Sequence, residues 1–361
     1  MATSRPQRGA THNPTSTRFS LPERIGDGDW RDDQVLLGEY PTPPHTSVTI
    51  ERPKTIITRN KSPDIPFDRS INAYRGCEHG CIYCFARPTH AFHDLSPGLD
   101  FETKLFAKPD AAALLRTELM KPSYSAAPIA MGTNTDPYQP VERDWRITRA
   151  CIDVLAETDH PLMITTKSDR VIRDIDLLAP MAAKELVSVM ISVTSLDTKI
   201  AMTLEPRAPT PRRRIAAIEA LSAAGIPVQV SISPLIPAIT DHETEAILEA
   251  ASGAGARSAS FIPVRLPHEV APLFRDWLET HYPDRAGKVM AMIQSIRGST
   301  DGHARDNDPR FGSRMRGSGP WYDLMLTRFK IACRRYGLDK DRIALRSDLF
   351  RPPEGAQRCL F

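Results

Sequence analysis

The chain has 361 residues, of which 41% are hydrophobic and 25% charged, and its formal net charge is +3. This length is enough for one large domain or two small ones, and the composition is that of an ordinary globular protein. No apolar run approaches the roughly 18 residues that a membrane-spanning helix requires, and no signal-peptide pattern follows the start. We therefore expect no membrane association and a cytoplasmic location.

The first 66 residues form a proline-rich segment with little hydrophobic periodicity. This segment contains nine prolines, and residues 1–19 include no acidic residue. An organelle transit peptide has a similar composition, but no amphipathic period runs through this stretch. Segments of this kind bury too little apolar surface to fold alone. We predict that residues 1–66 form an extended, partly disordered arm.

From residue 67 to residue 266, short apolar runs alternate with helix-like stretches. The runs predict strands at residues 70–74, 128–132, 161–165, 187–193, 227–233 and 258–264. Strand and helix alternate about six times, which favours a sheet of parallel strands built from βα units. The predicted fold class is therefore α/β, a partial (β/α)6 TIM-like barrel that forms the core of the protein.

Three of the connecting segments carry helix signals. Residues 147–155 place apolar side chains on one helical face, namely Ile147, Ala150, Cys151, Val154 and Leu155. Residues 212–224 precede Gly225 and Pro227, which are typical stop signals. A third helix is predicted to begin at Thr240, with Glu243 three residues later completing a capping box.

Residues 267–361 are predicted to be a helical C-terminal extension. Apolar periodicity indicates helices near residues 273–278, 289–296 and 321–336. Residues 297–319 are rich in glycine and charge, so we predict a flexible loop there. Cys151 and Cys333 lie on apolar helix faces, and we expect both thiols to be part of the core.

Polar residues follow several of the predicted strands directly. The chemistry of parallel βα folds takes place at the C-terminal ends of the strands. We therefore expect these polar residues to line a binding mouth: Thr133, Asn134, Asp136, Lys167, Ser192 and Thr194.

Three of the six cysteines lie within eight residues, at Cys77, Cys81 and Cys84. Clustered thiols in a reducing compartment indicate a metal site or catalysis rather than disulfides. Thiolates select zinc, copper(I) or iron–sulfur clusters. A zinc site would need a fourth ligand, for which His79, His90 and His93 are candidates. An iron–sulfur cluster usually takes four cysteines, so three would leave one iron of a [4Fe–4S] cluster open to another ligand.

The spacing C-x3-C-x2-C, with the aromatic Tyr83 before the last cysteine, resembles the signature of the radical S-adenosylmethionine (SAM) superfamily. Further segments resemble bacterial members grouped with spore photoproduct lyase, namely residues 204–207, Arg214, and residues 224–228 and 233–237. The resemblance implies that the three cysteines are catalytic and bind a [4Fe–4S] cluster. It further implies that the reduced cluster cleaves S-adenosyl-L-methionine and that the resulting radical abstracts hydrogen from a substrate.

The resemblance also implies where SAM binds. Many members of the superfamily carry Gly-Gly-Glu after the second strand, whereas this chain has Gly132-Thr133-Asn134-Thr135-Asp136. Tyr83, Thr133, Asn134 and Asp136 are assigned to cofactor binding on this basis. Lys167 has the placement of a lysine that binds the SAM carboxylate. Ser192 and Thr194 are candidates for contacts with the ribose hydroxyls.

The substrate is left open by these patterns. The resemblance implies an electron donor such as flavodoxin or ferredoxin. Residues 297–351 contain 13 Lys and Arg against 7 Asp and Glu, and Arg212–Arg214 form another basic cluster. Cationic surfaces of this kind bind phosphates. The alternatives are therefore a DNA- or RNA-directed radical enzyme, or a nucleic-acid-binding module whose metal site is structural.

Overall fold

The structure is a computed structural model that describes residues 8–16, 18–19, 45–300, 303–340 and 344–354. The strands in these ranges are β1 (Ser47–Ile50), β2 (Ile57–Arg59), β3 (Arg69–Ile71), β4 (Tyr74–Arg75), β5 (Lys104–Ala107), β6 (Ile129–Met131), β7 (Leu162–Thr166), β8 (Val187–Ser192), β9 (Val228–Leu235), β10 (Ser258–Pro263), β11 (Ser299–Thr300) and β12 (His303–Ala304).

The α-helices are α1 (Leu99–Thr103), α2 (Ala111–Leu119), α3 (Glu142–Trp145), α4 (Ile147–Glu157), α5 (Ile175–Ala183), α6 (Thr198–Leu204), α7 (Pro211–Ala223), α8 (Thr244–Gly253), α9 (Val270–His281), α10 (Pro283–Arg297) and α11 (Pro320–Arg335). Short 3-10 helices span Arg87–His93, Asp169–Asp174 and Asp241–Glu243.

The central sheet has the strand order β10-β9-β8-β7-β6-β3-β2. The strands from β3 to β10 in this sheet are parallel and adjacent in chain order, while β2 pairs antiparallel with β3 at one edge. Each crossover between parallel strands carries a helix. This arrangement confirms the predicted partial (β/α)6 TIM-like barrel. All six predicted strands are present, with small shifts at their ends.

A smaller sheet of β1, β5 and β4 lies beside the core. Strand β1 pairs parallel with β5, and β4 pairs antiparallel with β5. Both β1 and β2 lie within the predicted arm, so this part of residues 1–66 is ordered by pairing with strands that follow it. Residues 1–7, 17 and 20–44 of the predicted arm lie outside the described residues. The boundary at residue 66 stays a prediction.

Helix α4 shows where the predicted periodicity succeeds and where it fails. Ile147, Cys151, Val154 and Leu155 are buried, as predicted, but Ala150 is exposed. The helix buries Ile152 instead, so its packed face is turned slightly from the predicted one.

Helix α7 ends as its sequence predicts. Gly225 adopts a φ of 77°, a left-handed conformation that favours glycine. Its N–H donates to the carbonyl of Ser222 at 2.9 Å, which closes the last turn.

The predicted capping box at Thr240 is wrong. The Thr240 hydroxyl accepts the N–H of Ile236 at 2.9 Å and makes no cap contact with the helix. The Glu243 carboxylate accepts the Ser195 hydroxyl at 2.7 Å and the Leu196 N–H at 2.6 Å. A short 3-10 helix precedes α8, so Glu243 stabilises the loop after β8 rather than a helix end.

The C-terminal helices pack on different parts of the core. Helices α9 and α10 place Phe274, Trp277 and Val289 in one apolar cluster with Cys81 and Ile82. Helix α11 packs Met325, Phe329, Ala332 and Cys333 into the main core. The expectation that Cys151 and Cys333 are core residues is therefore confirmed. The limits of this extension and the flexibility of residues 297–319 stay predictions.

None of the helices in the described parts of the chain combines the length and apolar character needed to cross a membrane.

Candidate active site

The cysteine loop, residues 77–84, follows β4 directly. Cys77 and Cys81 are each 7% exposed, and Cys84 is partly buried. The Cys77 N–H donates to the carbonyl of Phe101 at 3.0 Å, and the Cys84 N–H donates to the carbonyl of Cys81 at 3.2 Å. The loop is therefore a compact turn that holds three thiols inside the protein.

Two glycines allow this loop to lie close to its neighbours. Gly76 has a φ of 74° and Gly80 a φ of 66°, conformations that side chains other than glycine disfavour. A Cβ on Gly76 would lie 2.8 Å from the Phe101 carbonyl oxygen, and one on Gly80 would lie 2.7 Å from Glu102 Oε2. Both positions therefore require glycine.

A wholly buried ion pair fastens the loop to helix α1. Arg87 and Glu102 are 0% exposed and lie 2.5 Å apart. The Arg87 guanidinium donates to the carbonyls of Gly80 at 3.0 Å and Cys81 at 2.8 Å. It also donates to the carbonyls of residues 97 and 98. All five N–H groups of Arg87 therefore have acceptors, which fixes the backbone between the first two cysteines.

Glu102 extends the same network to the N-terminal segment. Its carboxylate accepts the N–H of Gly9 at 2.9 Å and the N–H of Ala10 at 2.8 Å. Residues 8–10, which fall within the predicted arm, therefore close over the cysteine loop.

The donor set fits an iron–sulfur cluster. Burial raises the pKa of the Cys81 thiol to about 12 and raises the pKa values of Cys77 and Cys84 as well. Three buried thiolates need a cationic centre to compensate their charge. In the described parts of the chain, no group of His, Cys, Asp and Glu side chains is arranged around a single metal ion. In a cluster, each thiolate binds a different iron, so the sulfurs need not meet at one point.

Tyr83 leads from the loop into a buried polar network. Its hydroxyl donates to Glu205, and it lies 3.3 Å from the Thr194 hydroxyl. Thr194 donates to the same Glu205 oxygen at 2.8 Å, and Glu205 forms an ion pair with Arg214. The Lys167 ammonium lies 5.7 Å from the centre of the Tyr83 ring. Three predicted site residues, Tyr83, Lys167 and Thr194, are therefore brought together.

Electrostatics keep Glu205 ionised. Burial alone would raise its pKa, but the charges of Arg214 and Lys167 and a hydrogen bond from Tyr83 lower it to about 2. The network therefore holds a permanent negative charge beneath Tyr83.

Asp136 joins two strand ends to the cysteine loop. Its carboxylate accepts the Thr166 hydroxyl at 2.6 Å and the Lys167 N–H at 2.8 Å. His79 Nδ1 lies 3.4 Å from the same carboxylate, and the His79 and Asp136 side chains are 2% and 9% exposed. Against the effect of burial, His79 and these hydrogen bonds lower the pKa of Asp136 to about 2. Asp136 therefore positions the loop and the backbone of Lys167.

The remaining predicted residues lie at the same edge of the sheet. The Thr133 hydroxyl accepts the Asn72 amide at 3.0 Å, and the Asn134 N–H donates to Asn72 Oδ1 at 3.0 Å. Ser192 is buried, and its carbonyl accepts a hydrogen bond from Arg214 at 3.2 Å. These residues follow β6 and end β8, on either side of Lys167.

The family model of the radical SAM superfamily matches residues 71–251, which include the cysteine loop and the strands from β6 to β9. The chain belongs to the radical SAM superfamily. It is therefore an enzyme, and the superfamily implies an iron–sulfur cluster and SAM as its cofactors. A non-enzymatic binding module does not agree with this membership.

Curated relatives extend the likeness beyond the family model. An uncharacterized protein of Mycobacterium tuberculosis is 38% identical over 240 residues, which are 65% of this chain and 71% of the relative. An uncharacterized protein of Methanocaldococcus jannaschii is 30% identical over 216 residues, 59% of this chain and 76% of the relative.

Solved structures show the same fold. A spore photoproduct lyase variant with bound AdoMet and dinucleoside spore photoproduct has a TM-score of 0.52. The alignment has 15% sequence identity and covers 86% of this chain and 90% of that chain. Another spore photoproduct lyase complex has a TM-score of 0.51 at 16% identity, covering 80% and 78%. This likeness shows that the chain has the same fold as these lyase structures.

Sequence reasoning gave no role to four charged residues that shape the site: Arg87, Glu102, Glu205 and Arg214. Glu205 and Arg214 drew notice only within resembling segments, and Arg214 was assigned to a basic surface cluster. Their pairing partners are distant in the sequence, so no local spacing could have revealed them. The one usable signal was Arg87, a charged residue inside an otherwise apolar stretch beside the cysteines.

Proposed function

We propose that Cys77, Cys81 and Cys84 hold a [4Fe–4S] cluster with which this enzyme cleaves SAM reductively and abstracts a hydrogen atom from its substrate. The observation that carries the proposal is the burial of three thiols in one loop of a radical SAM core. Three ligands leave one iron for SAM, and the surrounding side chains give the loop a defined shape. When bound, the cluster supplies the electron for the cleavage.

The chain's own residues are suited to hold and orient SAM. Lys167 directly follows β7, and within the described parts of the chain no carboxylate forms an ion pair with it, so its ammonium is available for the SAM carboxylate. Thr133 and Asn134 offer a hydroxyl and an amide for the amino group. Thr194 lies 3.3 Å from the Tyr83 hydroxyl while also bonded to Glu205. Ser192 ends β8, the strand beside β7, and both residues are suited to the ribose side.

The cluster must receive an electron from outside the chain, and flavodoxin or ferredoxin are the proposed donors. Phe85 follows the last cysteine and is 53% exposed, which gives a donor an apolar contact beside the loop. A reduced cluster is also consistent with the proposed cytoplasmic location.

The test is anaerobic reconstitution with iron and sulfide, followed by dithionite and SAM. We expect the wild type to release 5′-deoxyadenosine and methionine, and the variant Cys81→Ala to release neither. Cys333→Ala is the matched control, since it removes a buried thiol from helix α11 and should retain the reaction. Protein that binds one zinc and no iron, or a reduced iron–sulfur protein that leaves SAM intact, would contradict the proposal.

A further inference from the structure

A pocket of about 620 Å³ opens beside the cysteine loop and is lined by segments that follow β6, β7 and β8 in the chain. His79 of the loop forms part of its wall. Six arginines line it, and we call it the arginine pocket: Arg143, Arg146, Arg170, Arg173, Arg207 and Arg213. Asp169 is the one acidic residue in this lining. The lining of the pocket is therefore predominantly cationic at a place next to the candidate active site.

Buried acids hold two of these arginines from behind. Arg173 pairs with Glu142 at 2.9 Å and with Asp174 at 2.8 Å, and both acids are fully buried. Arg207 pairs at 3.1 Å with Glu78, which is also buried. The two arginine side chains are 28% and 33% exposed. The carboxylates thus orient the guanidinium groups and leave their outer edges toward the pocket.

Two other arginines of the pocket have no such partner. In the ranges that the structure describes, neither Arg146 nor Arg170 forms an ion pair with a carboxylate, and Arg170 interacts with Asp144 only at longer range. Arg143 pairs with Asp144 in an exposed contact, and Arg213 pairs with Asp169. Exposed pairs are weak and exchange readily with another anion. Several guanidinium groups are thus available to a ligand.

The start of helix α7 adds to the positive potential. Thr210 and Pro209 line the pocket, and the first turn of this 13-residue helix has no side-chain cap. Uncapped N–H groups at a helix N-terminus favour an anion. They reinforce the arginines without forming a site by themselves.

We propose that the arginine pocket binds phosphate groups of the substrate, so that the enzyme acts on a nucleotide or a nucleic-acid strand. One guanidinium group can donate two hydrogen bonds to the oxygens of a phosphate. Six guanidinium groups are more than a ligand with a single carboxylate would need. The position beside His79 places a bound phosphate next to the loop that holds the cluster. The inference rests on the proposed function, since it names the substrate class for that reaction.

The test measures binding by the reconstituted enzyme under anaerobic conditions. The probes are a fluorescent single-stranded oligonucleotide, adenosine monophosphate and inorganic phosphate, the last two as competitors. The variant Arg146→Gln/Arg170→Gln removes two charges without leaving a buried carboxylate unpaired. The matched control, Arg116→Gln/Arg346→Gln, removes two charges from exposed ion pairs that do not line the pocket.

We expect the pocket variant to bind the oligonucleotide at least several-fold more weakly than the control. If each arginine contacts one phosphate, the slope of log K against log salt should fall by about 1.4, which is about 0.7 per lost contact. Strong competition by the mononucleotide would assign the pocket to a small phosphorylated substrate. Binding of the oligonucleotide that neither competitor displaces would assign it to a strand. Both outcomes support a phosphate site.

Two results would overturn the inference: no binding of any phosphate probe by the wild type at low salt, or equal binding by the pocket variant and the control. The same preparations are assayed for 5′-deoxyadenosine. Loss of SAM cleavage with intact phosphate binding would contradict only the proposed function. SAM cleavage without phosphate binding would contradict only the inference about the pocket. An unchanged circular dichroism spectrum shows that the variants are folded.

Discussion

Glu205 joins the aromatic residue of the cysteine loop to a buried arginine of helix α7. Its carboxylate accepts the Tyr83 hydroxyl and pairs with Arg214, and both charged side chains are almost inaccessible. A buried ion pair is weak evidence for stability in itself, but removal of one partner leaves the other charge without compensation. The effect of a substitution here should therefore be large.

The variant Glu205→Gln should lower the free energy of unfolding at pH 7 by about 3–5 kcal/mol, because Arg214 stays buried without its counter-charge. The pKa of Glu205 is lowered from 4.5 to about 2 in the folded protein. Its charge therefore stabilises the fold above pH 4.5, and this contribution is lost as the pH falls from 4.5 toward 2. Urea unfolding over this pH range measures both effects.

The matched control is Glu157→Gln, in an exposed pair with Arg116. It should change the free energy of unfolding by less than about 1 kcal/mol. A difference between wild type and Glu205→Gln that stays constant from pH 7 to pH 2 would show that Glu205 does not carry this charge.

Helix α1, which lies further along the chain, helps to hold the cysteine loop in place. Arg87 leaves the loop as the first residue of a 3-10 helix and reaches Glu102 in helix α1. Because Arg87 also donates hydrogen bonds to the carbonyls of Gly80 and Cys81, the conformation of the loop depends on both helices. Thiol positions should therefore respond to a change that leaves every cysteine intact.

We expect Arg87→Lys to keep the fold and lose most of the cluster. A lysine keeps the positive charge, but its three donors cannot reach the acceptors that the planar guanidinium serves. Iron and sulfide content per chain, measured after reconstitution, should fall several-fold. Arg116→Lys, in the exposed pair with Glu157, is the control and should bind as much iron as the wild type. Equal iron content in the two variants would contradict a positioning role for Arg87.

Local patterns in the sequence were sufficient for most elements of the core. Short apolar runs predicted the six parallel strands, and Gly225 marked the end of α7. The capping box at Thr240 failed because Glu243 is recruited by the loop after β8, a tertiary contact that no local pattern contains. Strands β1 and β5 escaped notice since their partner strands are far apart in the sequence.

The candidate site was predictable to a similar degree. The spacing of the cysteines predicted the loop, and the strand ends predicted Lys167 and Thr194, which the structure places near Tyr83. The roles of these residues stay predictions. The basic cluster at residues 212–214 was not interpretable by composition, because the structure divides it: Arg214 is buried against Glu205, while Arg213 lines the arginine pocket. Adjacent helical residues point in different directions, and only the packing decides which of them meets an acid.

Across the whole molecule, the density of Lys and Arg in the sequence does not show which of these side chains are free of ion pairs. Residues 297–351 hold 13 Lys and Arg against 7 Asp and Glu, but many of their arginines pair with acids: Arg305 and Arg310 with Asp308, Arg314 with Asp64, Arg328 with Glu245 and Arg346 with Asp348. Arg297 is buried among backbone carbonyls, and burial lowers its pKa to about 10. Arg146 and Arg170 of the arginine pocket, which form no ion pair in the described ranges, lie elsewhere, on segments that follow β6 and β7.

The C-terminal helices also pack against different parts of the protein. Phe274 of α9 belongs to the apolar cluster that contains Cys81, Ile82 and Tyr83, whereas Phe329 of α11 belongs to the main core. Both phenylalanines are buried. A comparison of substitutions at these two positions tests whether the C-terminal extension helps to hold the cysteine loop.

Each of Phe274→Ala and Phe329→Ala should lower the free energy of unfolding by about 3–5 kcal/mol, because both create a cavity in packed apolar surroundings. Only the cavity at Phe274 lies in the apolar cluster that contains Cys81, so only Phe274→Ala should release iron faster than the wild type. Chelator challenge of the reconstituted proteins, followed by the loss of cluster absorbance, measures this rate. If both variants release iron equally fast, the effect is one of global stability, and helix α9 has no specific part in holding the cluster.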